Sequence, residues 1–275
     1  MKSAFSFLSL STLALTLGIF AVSCSFPDED DDTDPIETGS IRINLDNVVG
    51  DRDLQLDSTK YTNAAGEEFT VSKLNYFISN IKLIKIDGST FTVPQDSSYF
   101  LVRETDTSSR KIKINQVLTG EYIGMEFTIG VDSLRSVSDV SKRKGILDKD
   151  MGPTNEEAMY WDWNPGYIFL KMEGSADSAS TPNGNYYYHI GGFGGLTERT
   201  LNNIKTVKVN FTGQKAIVTT TLISDVYLKA DVLKIFNGPT PFSIKENSGV
   251  MFTPFSATIA ENYATMFSFD RIDLN

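Results

Sequence analysis

The sequence predicts an all-β fold: a single antiparallel β-sandwich-like domain with long loops and one C-terminal amphipathic helix. Three observations predict it. Short segments that alternate apolar and polar residues recur along the chain, separated by Gly, Asn, Asp and Ser. Helical periodicity is absent until the final segment. The sole cysteine, Cys24, sits near the amino end, so no disulfide can staple the domain and a hydrophobic core must hold it.

The amino end comes first. Lys2 supplies a positive charge, Phe5 to Val22 is mostly apolar, and Ala21-Val22-Ser23 places small residues before Cys24. Residues 1–23 therefore read as a lipoprotein signal peptide, with the Cys24 thiol as the lipidation site and the membrane reached through that lipid. Residues 24–38 form an acidic tether. Asp28, Glu29, Asp30, Asp31, Asp32 and Asp34 repel one another and bury nothing. The tether resembles the surface-export signal of Bacteroidetes lipoproteins, so the expected location is an outer membrane lipoprotein on the surface-exposed or the periplasmic face. Residues 39–275 are expected to form one domain.

Within the domain, Ile41, Ile43 and Leu45 alternate with Arg42, Asn44 and Asp46, and Met125, Phe127, Ile129 and Val131 alternate with polar residues or glycine. Both segments predict half-buried antiparallel strands. From Lys73 to Asp87 the apolar phase switches, Ile81 and Leu83 on one face and Ile84 and Ile86 on the other, which predicts a bulge before a turn at Asp87-Gly88. Tyr99 to Arg103, Lys111 to Asn115, Tyr167 to Glu173, Tyr186 to Ile190, Ile204 to Phe211 and Ile217 to Leu222 predict further strands. Ser133 to Pro153 lacks periodicity and predicts a long loop. Ser256 is placed to cap a helix whose apolar stripe is Ile259, Tyr263, Met266 and Phe267.

Charge and motifs exclude several functions. The formal charge is −10; losing Lys2 makes it −11, and six tether acids leave about −5 on the folded domain. With no basic stripe interleaved with aromatics, nucleic acid is not an expected partner. Gly191-Gly192-Phe193-Gly194-Gly195 is followed by no Gly-Lys-Ser/Thr, so these glycines are expected to serve a turn or a close backbone approach under the aromatics. His189 is the only histidine and no Gly-X-Ser-X-Gly elbow exists, which leaves a binding protein and not an enzyme as the expectation. Asp148, Asp150, Glu156, Glu157 and Asp162 are carboxylates whose separations the sequence does not set.

The chemistry concentrates in Met159-Tyr160-Trp161-Asp162-Trp163-Asn164-Pro165-Gly166-Tyr167, followed by His189. An imidazole near two oxidisable indoles suits a soft metal, with Met159, Met172 and Met251 as available thioethers. On an extended chain Trp161 and Trp163 would share a face. Core packing by the same aromatics is the competing reading. A second alternative is a surface adhesion or glycan-binding lipoprotein without metal, in which Trp161, Trp163, Tyr186, Tyr187 and Tyr188 form an exposed stacking platform.

Several blocks together resemble the MbnP-like copper-binding domain of bacterial periplasmic and lipid-anchored proteins. They are Leu74-Asn75-Tyr76-Phe77-Ile78-Ser79-Asn80-Ile81, Phe127 to Ser133, Met159 to Glu173, His189-Ile190-Gly191-Gly192, and Ile259-Ala260-Glu261-Asn262-Tyr263 with Met266-Phe267. The resemblance implies an extracytoplasmic β-rich fold that binds copper, as Cu(I). His189 would be a ligand, and Trp161 or Trp163 would be a ligand precursor converted to kynurenine by a dihaem, cytochrome c peroxidase-like partner. Where other members carry additional histidines before the last helix, this sequence has Met251, Phe252, Thr253, Pro254 and Phe255.

Overall fold

The structure, a computed structural model, describes residues 36–149 and 158–275. The signal segment 1–23, Cys24, the tether through Pro35, and Asp150, Glu156 and Glu157 lie outside the described residues. Ten strands of five residues or more carry the fold among those described: β1 Thr38–Val49, β2 Lys73–Lys85, β3 Tyr99–Arg103, β4 Lys111–Leu118, β5 Gly120–Ile129, β6 Gly166–Ser175, β7 Asn185–Gly191, β8 Lys205–Asn210, β9 Ile223–Asp231 and β10 Phe267–Leu274.

They make two sheets. The smaller runs β10-β9-β1-β4, and the larger runs β8-β5-β2-β6-β7 with β3 paired along the first half of β2. Ile41, Ile43 and Leu45 of β1 face Tyr76, Ile78, Met125 and Phe127 of the larger sheet in one continuous core. Phe267 closes the gap between sheets, its ring edge-on to Phe127 at 4.9 Å and to Tyr76 at 5.8 Å. The all-β sandwich expected from alternation is the observed architecture.

Two pairings depart from a purely antiparallel arrangement. β1 and β9 run parallel, Ile43 opposite Val226, because the chain crosses from the larger sheet and enters beside the amino end of β1. A short strand, Gly249–Val250, also runs parallel to β7, with Tyr187 opposite Gly249 and Tyr188 opposite Val250.

The phase switch in β2 is a bulge. The register slips between Ser79 and Lys82, Asn80 takes a positive φ of 52°, and the Ile81 amide donates to Ser98 Oγ at 2.8 Å. Asp87 and Gly88 then turn the chain into Thr90–Thr92, with φ 83° at the glycine. Two expectations are corrected. The helix spans only Ser256–Tyr263, Phe255 precedes it without a side-chain cap, and buried Ser256 Oγ accepts from Asn203 Nδ2 instead. Met266 lies beyond the helix and Phe267 opens β10, because core aromatics there satisfy strand and helix spacing equally well. The expected strand Ile217 to Leu222 is a short Ala216–Val218 followed by a turn, tied by the Leu222 amide to Thr219 Oγ1, before β9 begins.

A second core covers the outer face of the larger sheet at one end, built from Phe77, Tyr99, Leu101, Val131, Leu147, Met159, Trp161, Tyr167 and Phe169. The segment after β5 supplies part of its cover. Asp132 caps the short helix Ser133–Ser136 by accepting from the Arg135 amide, and buried Leu147 offers its carbonyl to Tyr167 Oη at 2.6 Å. Residues 36–275 form one compact unit, and no helix among the described residues is long and apolar enough to cross a membrane.

Phe127 sits fully buried between the sheets. Phe127→Ala is expected to cost about 3–5 kcal/mol by the lost burial and the cavity left behind, measured as the shift of the urea unfolding midpoint at unchanged slope.

Candidate metal centre

Strand β7 sorts its side chains strictly by position. Tyr186, Tyr188 and Ile190 enter the main core, which sends Tyr187, His189 and Gly191 to the outer face of the sheet. On the neighbouring β6, Lys171 lies opposite His189 and Glu173 opposite Tyr187. These two charges stand on the same outer face of an otherwise apolar strand.

The imidazole is anchored. His189 Nε2 lies 2.7 Å from Glu173 Oε1, and the same carboxylate receives Lys73 Nζ at 3.5 Å and Lys171 Nζ at 3.8 Å. The hydrogen bond from His189, helped by Lys73 and Lys171 against the opposing effect of burial, holds the Glu173 carboxyl below the usual carboxylate range. An ionised carboxylate only accepts, so in the neutral imidazole Nε2 carries the hydrogen and Nδ1 keeps its lone pair. The ring makes no second hydrogen bond among the described residues.

Trp161 approaches the same face from the other end. Its short strand, Tyr160–Trp161, pairs antiparallel with Tyr167 and Gly166, and the benzo edge of its ring lies over Gly191. A Cβ at Gly191 would collide with the Tyr167 carbonyl oxygen and sit 2.8 Å from Trp161 Cζ3, so only glycine fits between the neighbouring strand and the indole. Gly191 and His189 are two positions apart on one face, roughly 7 Å along the strand. Trp161 is 5% exposed and its Nε1 has no hydrogen-bond partner among the described residues.

Trp163 differs from the extended-chain expectation. Asp162 to Pro165 is a turn, so Trp163 swings out to 64% exposure while its ring still packs 5.5 Å from that of Trp161. Both indoles meet, by a turn and not by strand alternation.

Two clefts divide the region. One of about 590 Å³ is lined by Glu173, Tyr187, His189 and Met251, with Asp57 and Thr70. The other, about 410 Å³, is lined by Tyr160, Trp161, Phe193, Leu196, Phe252 and Arg143. His189 and Trp161 thus share a face but line different clefts, and the consecutive residues Met251 and Phe252 serve one each. The five-ring stacking platform is not assembled: Tyr186 and Tyr188 are wholly buried, and of the five only Trp163 and Tyr187 reach solvent. Met172 and Met159 are likewise core. Asp148 and Asp162 are exposed, and no group of three His, Cys, Asp or Glu side chains is placed to hold a metal among the described residues.

The structure adds residues that sequence reasoning passed over. Lys171 and Glu173 were legible as two charges at alternate positions of an apolar strand. Glu67 was not, because all of its partners but Asn63 lie 176 to 178 residues away. Its carboxylate accepts from Ser243 Oγ, the Ile244 and Lys245 amides and Asn63 Nδ2 at 2.6–2.9 Å, pinning the segment that leads into Gly249–Val250 and Met251.

With this geometry in place, comparison with known proteins gives one family. The sequence matches MbnP over residues 38–252. The chain belongs to the MbnP family. Among solved structures it is similar to MbnP from Methylosinus trichosporium, at 12% identity over 80% of this chain and 82% of that one, with a TM-score of 0.49. No curated protein matches. Membership of the MbnP family associates the chain with copper at the level of the family. Two donors on the outer face fit a soft ion, an imidazole with one free nitrogen and a thioether in the same cleft; the Trp161 indole, whose N–H only donates a hydrogen bond, is not a ligand in its unmodified form.

Burial raises the Glu67 carboxyl, but the hydrogen bonds from Asn63, Lys245, Ile244 and Ser243 outweigh it and bring it from 4.5 down to about 2. A group held low in the folded state stabilises fully above its unfolded value and loses that contribution as pH falls. Stability is therefore expected to decline as pH drops from 4.5 toward 2, and Glu67→Gln, costing about 2 kcal/mol at neutral pH, should flatten that part of the profile in pH-dependent thermal melts.

Proposed function

We propose that the protein is an extracytoplasmic, lipid-anchored copper-binding protein in which His189 is a ligand and Trp161 is the precursor of another. The observation that supports this reading is that Trp161, lying over Gly191, and His189, two positions away on the same strand, stand on one sheet face, with the imidazole anchored through one nitrogen and free at the other. The lipid anchor rests on Ala21-Val22-Ser23-Cys24 and the acidic tether that follows.

Trp161 is preferred over Trp163 because its ring stands on the histidine face and its Nε1 already lacks a partner. Opening an indole adds the equivalent of one dioxygen across the Cγ–Cδ1 bond, and water then releases formate, leaving an aryl amine and a ketone. A dihaem peroxidase-like partner would supply that oxidation from hydrogen peroxide, two molecules consumed and two waters formed per ring opened. Exposed Trp163, packed on Trp161, gives the partner a surface contact continuous with the buried ring. The protein is then a substrate of the oxidation and a binder of the metal, and catalyses neither step. Bound copper would supply a redox-active, thiophilic centre; the chain's own contribution is to orient the donors and shelter them.

Purification of the full chain from its native host, followed by metal analysis and peptide mass spectrometry, tests the reading. Stoichiometric copper, lost in His189→Ala, and a kynurenine mass at Trp161 are expected. Copper-free protein with both indoles intact would contradict it.

A further inference from the structure

We propose that the Met251 thioether joins the free Nδ1 of His189 as a copper ligand, and that Glu173 is the positioning residue that presents Nδ1 to the metal. This rests on the copper reading and specifies which atoms of the chain carry it.

The parallel pairing at the edge of the larger sheet brings Met251 to this place. Tyr187 is opposite Gly249 and Tyr188 opposite Val250, and Met251 follows directly where that pairing ends, at the level of His189. Val250 is buried in the main core with Tyr188, whereas Met251, just past the end of the strand, packs against the second core on the outer face, where His189 points. The thioether and the imidazole therefore stand on the same face of the sheet. Both line the cleft of about 590 Å³.

Met251 also differs from the other described methionines. Met125, Met159, Met172 and Met266 are buried in the cores, whereas Met251 is half-buried at a cleft wall. A thioether and a neutral imidazole are soft and borderline donors, a pair that favours Cu(I) over Zn(II) or Mg(II). The carboxylates of the cleft do not alter that preference: Glu173 is engaged by His189, Lys73 and Lys171, and Asp57 is exposed. Holding the non-ligating nitrogen of a metal-binding histidine with a carboxylate fixes tautomer and ring orientation together. Glu173 makes that contact before any metal arrives.

The test is a Cu(I) competition titration against a chromophoric chelator, with Zn(II) in parallel, using full chain purified from the native host and stripped of metal. Met251→Leu keeps the volume and apolarity of the side chain. It is expected to weaken Cu(I) at least as much as Glu173→Gln, for which the loss is about 10- to 100-fold, with thermal stability and any weak Zn(II) binding unchanged. Because His189 is the only histidine, nitrogen NMR reads its tautomer directly: Nε2–H in the wild type, and a mixture in Glu173→Gln. Wild-type Cu(I) affinity retained in a folded Met251→Leu chain would overturn the ligand assignment while the copper reading stands. An unchanged tautomer and affinity in Glu173→Gln would overturn the positioning role. A wild-type chain that does not compete for Cu(I) at all would overturn both this proposal and the reading it rests on.

Discussion

The two-residue period of one strand governs everything the outer face can do. Tyr186, Tyr188 and Ile190 of β7 are committed to the main core, where Tyr186 and Tyr188 pack with Phe236 and Phe242. That commitment leaves His189 no choice of face. A one-residue slip would bury the imidazole among aromatics and expose three large apolar side chains, a change far costlier than any single contact at the site. The position of the chain's only histidine is therefore a consequence of core packing on the opposite side of the sheet.

The second core turns that exposed face into a site. Phe77, Phe169 and Tyr167 cover the sheet at one end, and Trp161 completes the cover by lying against a backbone that glycine leaves bare. At the other end of the same face the cover is polar, with Lys73, Lys171 and Glu173 arranged around the imidazole. Apolar cover at Gly191 and charged anchoring at His189 thus stand two positions apart on one strand. The strand edge would be open there but for Gly249–Val250, held in place by the distant carboxylate of Glu67.

Much of this was legible in the sequence, for physical reasons. Alternation is a local signal, so β1, β5 and the bulge at Asn80 could be read from residue order alone. The glycines after His189 were readable as a close-approach segment because no phosphate-binding pattern followed them. What could not be read was pairing between distant segments. β9 went unrecognised and the parallel edge strand was invisible, since nothing near Met251 announces which strand it will lie beside. The Trp161–Trp163 geometry was missed because the turn at Asp162 to Pro165 overrides the period that an extended chain would impose. The adhesion alternative weakened for the same kind of reason: three consecutive tyrosines cannot all face solvent on a strand whose other side is core.

The metal donors are few, and their sufficiency depends on placement more than number. An imidazole held at one nitrogen, a thioether in the same cleft and a sheltered aromatic nearby make a softer and more selective surface than any of the exposed carboxylates. Anomalous diffraction at the copper edge, from crystals of the metal-loaded full chain, tests this most directly. The account predicts one strong peak on the outer face of β7, within bonding distance of His189 Nδ1. A peak at the carboxylates of the acidic tether or at Asp57, with the imidazole unliganded, would contradict it.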